Sequence, residues 1–347
     1  MKKKFYSFIR IILTFYNNFF FKKLTILGKR KIPKDGAIIF SPNHQSALLD
    51  PLLIGSTCGK RLYSLTRSDV FRKPFLWVLD AMQTLPIYRI RDGYEKLHLN
   101  NKTFEKCYEL LKTKKHLMVF SEGKHHEEYY LLPISKGSSR IGLESLKKFP
   151  KVKIYLQPVG INYGSHIHPY HNCTIVYGNA IKLNEFTNLY EKNPVKTINK
   201  VRLKLENEMK KCLWLPNYSR EYNIQKDLIN FKSTKTQFKL LKKKISLKDN
   251  KLKNNSSKTV IEKIAFRFFS IFNLIPLKII NLILKKFDER VFHLSVKYLV
   301  GILIFPLWWT IVFLISVYFF NIVLSVIITF VVSLFLFFRQ FLIIKHH

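Results

Sequence analysis

Residues 298–338 run for 41 positions without one charged side chain. A single helix of that length, at about 1.5 Å per residue, would reach roughly 60 Å, twice the ~30 Å hydrocarbon layer of a bilayer. The run therefore predicts two crossings, over 300–318 and 322–338, with the turn near Asn321. Lys297 precedes the first, and Arg339 and Lys345 follow the second. Basic flanks at one end of both spans predict a transmembrane hairpin in residues 298–347 with both ends cytoplasmic. A pair of buried core helices is the alternative. Trp308, Trp309, Phe319 and Phe320 weigh against it by adding apolar bulk on every side.

The chain carries 59 Lys and Arg against 22 Asp and Glu, a formal charge of +37. Such an excess asks for an anionic partner: nucleic acid, anionic lipid or a phosphorylated small molecule. No nucleic-acid-binding motif is present, and no basic run is interleaved with aromatics. Nucleic acid is thus not the expected partner, and membrane lipid is. Residues 1–24 place Lys2, Lys3 and Lys4 before Phe5, Phe8, Ile12, Phe15 and Phe19 at three- and four-residue steps. That pattern predicts an amphipathic helix in the headgroup layer, or else a surface helix covering the core. Residues 221–258 are Lys-rich and polar and read as a linker. Residues 259–297 turn amphipathic again and read as a second membrane-docking region. Cys58, Cys107, Cys173 and Cys212 form no CxxC pair, which fits small apolar residues in a reducing compartment.

Between these ends, residues 25–220 alternate strand-length apolar runs (37–40, 62–65, 117–120, 153–159) with helical patterns (94–112, 138–148, 195–215). The rhythm predicts an α/β domain with a central, mostly parallel sheet flanked by helices. Ligands bind such sheets beyond the carboxyl ends of the strands, and four polar clusters fall there. The first is Ser41-Pro42-Asn43-His44-Gln45-Ser46-Ala47-Leu48-Leu49-Asp50-Pro51. A carboxylate behind His44 would fix its tautomer and let it take a proton from a hydroxyl. Six residues apart on a helix they would not share a face, so the pair needs a turn. Asp50 serves equally as an N-cap before Pro51, and His44 as a loop hydrogen-bonding group. The second cluster brings Arg89 and Arg91 after a short apolar run, able to grip phosphate or to sit on the surface. The third is Ser121-Glu122-Gly123-Lys124-His125-His126, followed by Lys136 and Arg140 at the next helix. The fourth is the apolar stretch around Pro158. His125-His126 and the trio His166, His168 and His171 have spacings that could hold zinc, but read more simply as solvent-facing loop histidines; no metal is expected.

In this order the four clusters resemble the PlsC-type glycerolipid acyltransferase family. Its NHxxxxD block is matched by Asn43-His44 through Asp50, its second block by the run ending in Arg89, its FPEGTR block by Phe120-Ser121-Glu122-Gly123, and its apolar-Pro-apolar block by Pro158. Five residues separate His44 from Asp50 where four are usual, an interval shared with branches that look like glycerol-3-phosphate acyltransferases. Ser121 replaces Pro, and Lys124-His125 replace Thr-Arg. The resemblance implies an O-acyltransferase of phospholipid biosynthesis. His44 would be the general base and Asp50 its orienting acid. Asn43, Arg89, Glu122 and Gly123 would hold the phosphorylated glycerol, with Arg91, Lys124, Lys136 and Arg140 as further phosphate contacts. Pro158 would line the acyl groove. The implied donor is an acyl thioester, acyl-CoA or acyl carrier protein, with no bound cofactor. The implied acceptor is 1-acylglycerol-3-phosphate, with glycerol-3-phosphate or another lysolipid as alternative. A non-catalytic membrane-anchored binding protein is the reading from a different class.

Overall fold

The computed structural model describes residues 2–73, 76–89, 93–230, 232–247 and 259–344. Its eight strands are β1 (Lys23–Leu27), β2 (Ala37–Pro42), β3 (Leu62–Arg67), β4 (Thr84–Ile87), β5 (His116–Met118), β6 (Ile154–Tyr163), β7 (Asn172–Tyr177) and β8 (Ile181–Lys182). They form one sheet in the order β1-β7-β6-β2-β5-β3-β4, with β8 beside the start of β6. Strands β6, β2, β5, β3 and β4 run parallel, while β7 and β8 lie antiparallel to β6. The carboxyl ends of β2, β3, β4, β5 and β6 therefore open on one edge, where the expected crevice belongs.

Thirteen α-helices flank the sheet or follow it among the described residues. They are α1 (Lys2–Phe20), α2 (Leu49–Thr57), α3 (Leu76–Ala81), α4 (Asn100–Lys112), α5 (Gly137–Lys148), α6 (Thr187–Lys192), α7 (Pro194–Lys211), α8 (Tyr222–Lys226), α9 (Phe238–Ser246), α10 (Val260–Ile271), α11 (Leu274–Leu284), α12 (His293–Phe319) and α13 (Ile322–Ile344). The pleat of β2 sorts its side chains between two cores. Ala37 and Ile39 pack with Leu111, Leu143 and Val201 from α4, α5 and α7. Ile38 and Phe40 pack with Leu13, Leu53, Leu294 and Tyr298 from α1, α2 and α12. The base of α12 is thus part of the layer that covers the sheet.

Helices α12 and α13 are long and apolar enough to cross a membrane, and the break at Phe320 and Asn321 falls where the sequence places it. Asn321 caps α13, accepting from the Leu324 N–H at 2.9 Å. Helix α1 has one face on the core and one exposed. Tyr6, Leu13 and Phe20 are buried against the domain, while Phe8, Ile11 and Phe15 remain exposed. Helices α10 and α11 meet at 94°. The elbow is pinned by Asn273, whose Nδ2 donates to Val332 O at 2.8 Å and whose Oδ1 accepts from Trp309 Nε1 at 3.1 Å. The docking region is therefore joined to the apolar hairpin.

The linker expected over 221–258 is not a linker in its described part. Tyr222, Leu228, Leu241 and Ile245 are buried with Trp214 and Tyr129 in a third core. The Lys-rich composition masked a sparse apolar stripe that α8 and α9 turn inward.

Candidate active site

His44 and Asp50 meet on the turn that joins β2 to α2. His44 Nδ1 lies 2.8 Å from Asp50 Oδ2. The turn is tight enough to hold Ala47 at φ 33, a left-handed conformation that a residue with a Cβ adopts only when its surroundings impose it. Those surroundings are specific. Asp50 Oδ2 also accepts the Ser46 N–H at 2.9 Å, and Asp50 Oδ1 accepts the Tyr163 hydroxyl at 2.6 Å. Asp50 is fully buried. Helix α2 begins at Leu49, so Asp50 sits inside its first turn and is not the N-cap. Its carboxylate reaches back to the loop instead. Burial, and then the Asp50 charge, hold the Tyr163 hydroxyl well above its ordinary pKa, so it stays a donor.

The His44 ring stacks on Phe120, with centroids 4.0 Å apart, and stays partly exposed at its outer edge. Its Nε2 has no hydrogen-bond partner among the described residues. His125 stands edge-on to it at 5.6 Å. His125 itself contacts Phe292 at 5.0 Å and Glu289 Oε2 at 3.1 Å, both from the approach to α12. Burial pushes the His125 pKa down, against the pull of Glu289. Arg67 is among the cations that act on His125, which puts the end of β3 in the same crevice. Arg67 is bound through Nε and Nη2 to Asp69, and Arg89 Nη2 approaches the same carboxylate at 3.8 Å. Arg67 at the end of β3 and Arg89 just beyond β4, two adjacent parallel strands, thus meet at the Asp69 carboxylate.

Several expected ligand-facing residues prove to be structural. Asn43 is fully buried, donating to Ile161 O at 3.0 Å and accepting the Ile161 N–H at 2.7 Å, which fastens the loop to β6. Glu122 is turned inward. Its oxygens accept from the His44 N–H at 2.7 Å, the Leu132 N–H at 3.0 Å and His126 Nε2 at 2.9 Å. Three protein donors thus occupy this carboxylate. Pro158 does not line a groove: it is buried in β6 against Gly178. It occupies the gap between the β8 and β7 pairings, where its missing N–H leaves no ladder bond unmade. Arg140 is exposed on α5, within electrostatic reach of Tyr108 and Tyr190 on the outer flank. Lys136 and Lys124 are exposed near the carboxyl edge. Gly123 has φ 71 with open space where a Cβ would stand, which suits a close approach by a ligand. Arg91 lies outside the described residues.

Ser121, where the resemblance expects Pro, is the middle of a buried hydroxyl chain. It lies 2.7 Å from Ser41 Oγ and 2.9 Å from Ser138 Oγ. The solvent-facing histidines expected in the β6–β7 loop are not solvent-facing. His166 and His171 are buried, and burial lowers their pKa values to about 3 and about 4. Among the described residues no three His, Cys, Asp or Glu are placed to hold a metal ion. All four cysteines are free and buried. Tyr163, Arg67 and Phe120 were not foreseen as site residues; the one signal was their place at the ends of apolar, strand-length runs.

The chain is similar in part to known proteins. Over 111 residues the chain is 27% identical to glycerol-3-phosphate O-acyltransferase 2 of Saccharomyces cerevisiae, a stretch covering 32% of this chain and 15% of the yeast protein. The crystal structure of the 1-acyl-sn-glycerophosphate acyltransferase PlsC from Thermotoga maritima is similar over 59% of this chain and 80% of its own, at 20% identity and a TM-score of 0.43. Residues 23–162, which hold His44, Asp50, Arg89 and Glu122, match the family model described as Acyltransferase.

Proposed function

We propose that the protein transfers a fatty acyl group from an acyl thioester, acyl-CoA or acyl carrier protein, to the free hydroxyl of 1-acylglycerol-3-phosphate. The product is phosphatidic acid, and the domain works at the cytoplasmic face of the membrane. The observation that carries this reading is the imidazole with one nitrogen 2.8 Å from a buried carboxylate and the other open to the crevice. His44 Nε2 takes the hydroxyl proton as the oxygen attacks the thioester carbonyl. The C–O bond forms, the C–S bond breaks, and the leaving thiolate takes the proton back from the imidazolium. Asp50, with Tyr163 and the Ser46 N–H on its oxygens, keeps a negative charge beside that imidazolium throughout. Arg67 and Arg89 hold the acceptor's phosphate. Glycerol-3-phosphate is the second reading of the acceptor, favoured by the name of the yeast relative and by the five-residue interval between His44 and Asp50.

The test is an acceptor panel with the full-length protein in detergent and one radiolabelled acyl donor. Labelled phosphatidic acid from 1-acylglycerol-3-phosphate is the expected product. Placement of a general base is worth about 10²–10⁴-fold, so His44→Gln should lose activity by that factor while keeping its thermal unfolding midpoint. Undiminished turnover in that variant would sink the mechanism. Labelled product from glycerol-3-phosphate alone would move the acceptor to the second reading.

A further inference from the structure

A second feature of the molecule is not used by acyl transfer. Helices α1, α12 and α13, the elbow of α10 and α11, and the β6–β7 loop line a half-open cavity of about 800 Å³. Neither His44, Asp50, Arg67 nor Arg89 lines it. Its wall is aromatic and aliphatic, with Phe15, Phe19, Phe305, Trp309, Phe330 and Phe337 prominent. Its volume lies within the range of small-molecule and lipid sites.

Two cations also line the wall, Lys297 and Arg339. They come from the two ends of the hairpin nearest the sheet domain, and they lie within electrostatic reach of one another. Each makes one hydrogen bond to an uncharged group: Lys297 Nζ donates to Ile167 O at 2.8 Å, and Arg339 Nε donates to Ser270 Oγ at 2.9 Å. Neither meets a carboxylate among the described residues. Two like charges facing an apolar cavity with no counter-ion are costly. A compact anion between them would remove that cost. Lys22 stands near the same end, its Nζ 4.9 Å over the Phe341 ring. The cavity is therefore cationic at the end toward the domain and apolar between the membrane helices, which is the polarity of one leaflet lipid.

We propose that the cavity holds an anionic glycerophospholipid, with its phosphate between Lys297 and Arg339 and its acyl chains among Phe15, Phe19, Phe305 and Phe337, apart from the acyl-transfer crevice. The bound lipid joins α1 to the hairpin and completes the helical layer at the membrane surface. Close packing supports the design of the wall: a Cβ on Gly301 would come within 2.8 Å of the Tyr16 hydroxyl, so α1 and α12 already touch on one side of the cavity and leave its volume on the other.

The test uses delipidated full-length protein in nonionic detergent, titrated with dioleoylphosphatidylglycerol or dioleoylphosphatidylcholine and read by native mass spectrometry. One phosphatidylglycerol should bind at a concentration at least about tenfold below that needed for phosphatidylcholine, since a pair of charge-assisted contacts is worth that much. The double variant Lys297→Gln/Arg339→Gln should lose that preference, and Lys297→Arg/Arg339→Lys should keep it. Ser333→Phe, which fills the cavity and leaves both cations, should also lose binding and carries the test if the double variant does not fold. Equal occupancy by the two lipids, or undiminished phosphatidylglycerol binding by Ser333→Phe, would overturn the proposal. No acyl donor or acceptor is present, so its failure leaves the acyl-transfer reading untouched.

Discussion

Among the described residues, Asp50 has no cation bonded to it other than the one His44 would become. Its charge is spread over three hydrogen bonds, from His44, Ser46 and Tyr163. These bonds make it a fixed counter-charge, and the proposed phosphate contacts are Arg67 and Arg89. Hydrogen bonds to charged groups are worth about 1.5–3 kcal/mol, which corresponds to roughly a ten- to hundredfold change. Arg67→Gln and Arg89→Gln should each raise KM for the phosphorylated acceptor by that factor and change kcat less. Steady-state kinetics against acceptor concentration, at saturating donor, checks this. An unchanged KM in both variants would remove the arginines from the phosphate site. The His44–Asp50 pairing was legible in the sequence because both residues belong to one short turn segment. Tyr163 was not legible: its contact to Asp50 crosses 113 positions and exists only once β6 lies beside β2. Glu122 misled for the same reason. A carboxylate in a glycine turn reads as a ligand until the fold supplies the backbone donors that consume it.

At the level of elements, legibility followed apolar content. Strands β2 and β5 announce themselves by the unbroken apolar runs 37–40 and 117–120, and β3 and β6 by apolar-rich ones, whereas β1 alternates Lys and Thr with Leu and Ile and β4 contains Pro86. Helices α8 and α9 were hidden by lysine. The β6–β7 loop gives the pH dependence. Burial lowers the pKa of His166 to about 3 and of His171 to about 4, and the start of β5 has His116 at about 4 for the same reason. The unfolded chain has ordinary histidines near 6.5. A depressed folded pKa means that the unfolded state binds more protons on acidification. The stability these groups contribute is complete above about pH 6.5 and is lost as pH falls toward about 4. Thermal unfolding in detergent should show a falling midpoint across that window. His171→Asn, which retains a donor toward His168 O, should flatten the slope; an equally steep slope in the variant would mean that other groups dominate.

Across the whole molecule, the membrane hairpin and the reaction crevice are mechanically one piece. The Ser295 hydroxyl, in the first turn of α12, donates to Ser46 O at 2.7 Å and accepts the Leu49 N–H at 3.0 Å. Both backbone groups belong to the loop that carries His44 and Asp50, on either side of Ala47 and its left-handed backbone. Glu289 and Phe292, just before α12, bear on His125, which in turn faces the His44 ring. The apolar run that opens the sequence argument predicts an anchor; the packing makes its base a clamp on the site. Ser295→Ala removes both bonds from α12 to the turn, about 0.5–1.5 kcal/mol for each, and leaves the Leu49 N–H and Ser46 O only the 2.8 Å bond they make to one another. The strained turn then loses its tie to α12, so the loss falls on the His44–Asp50 geometry. We expect kcat to fall roughly ten- to hundredfold, with KM for donor and acceptor near the parent values, and with the protein as resistant to alkaline extraction from membranes as before. Ser295→Thr keeps the hydroxyl and should restore kcat. A Ser295→Ala enzyme with parental kcat would show that the hairpin only tethers the domain, because a clamp that holds the loop must register in the turnover of the imidazole it positions.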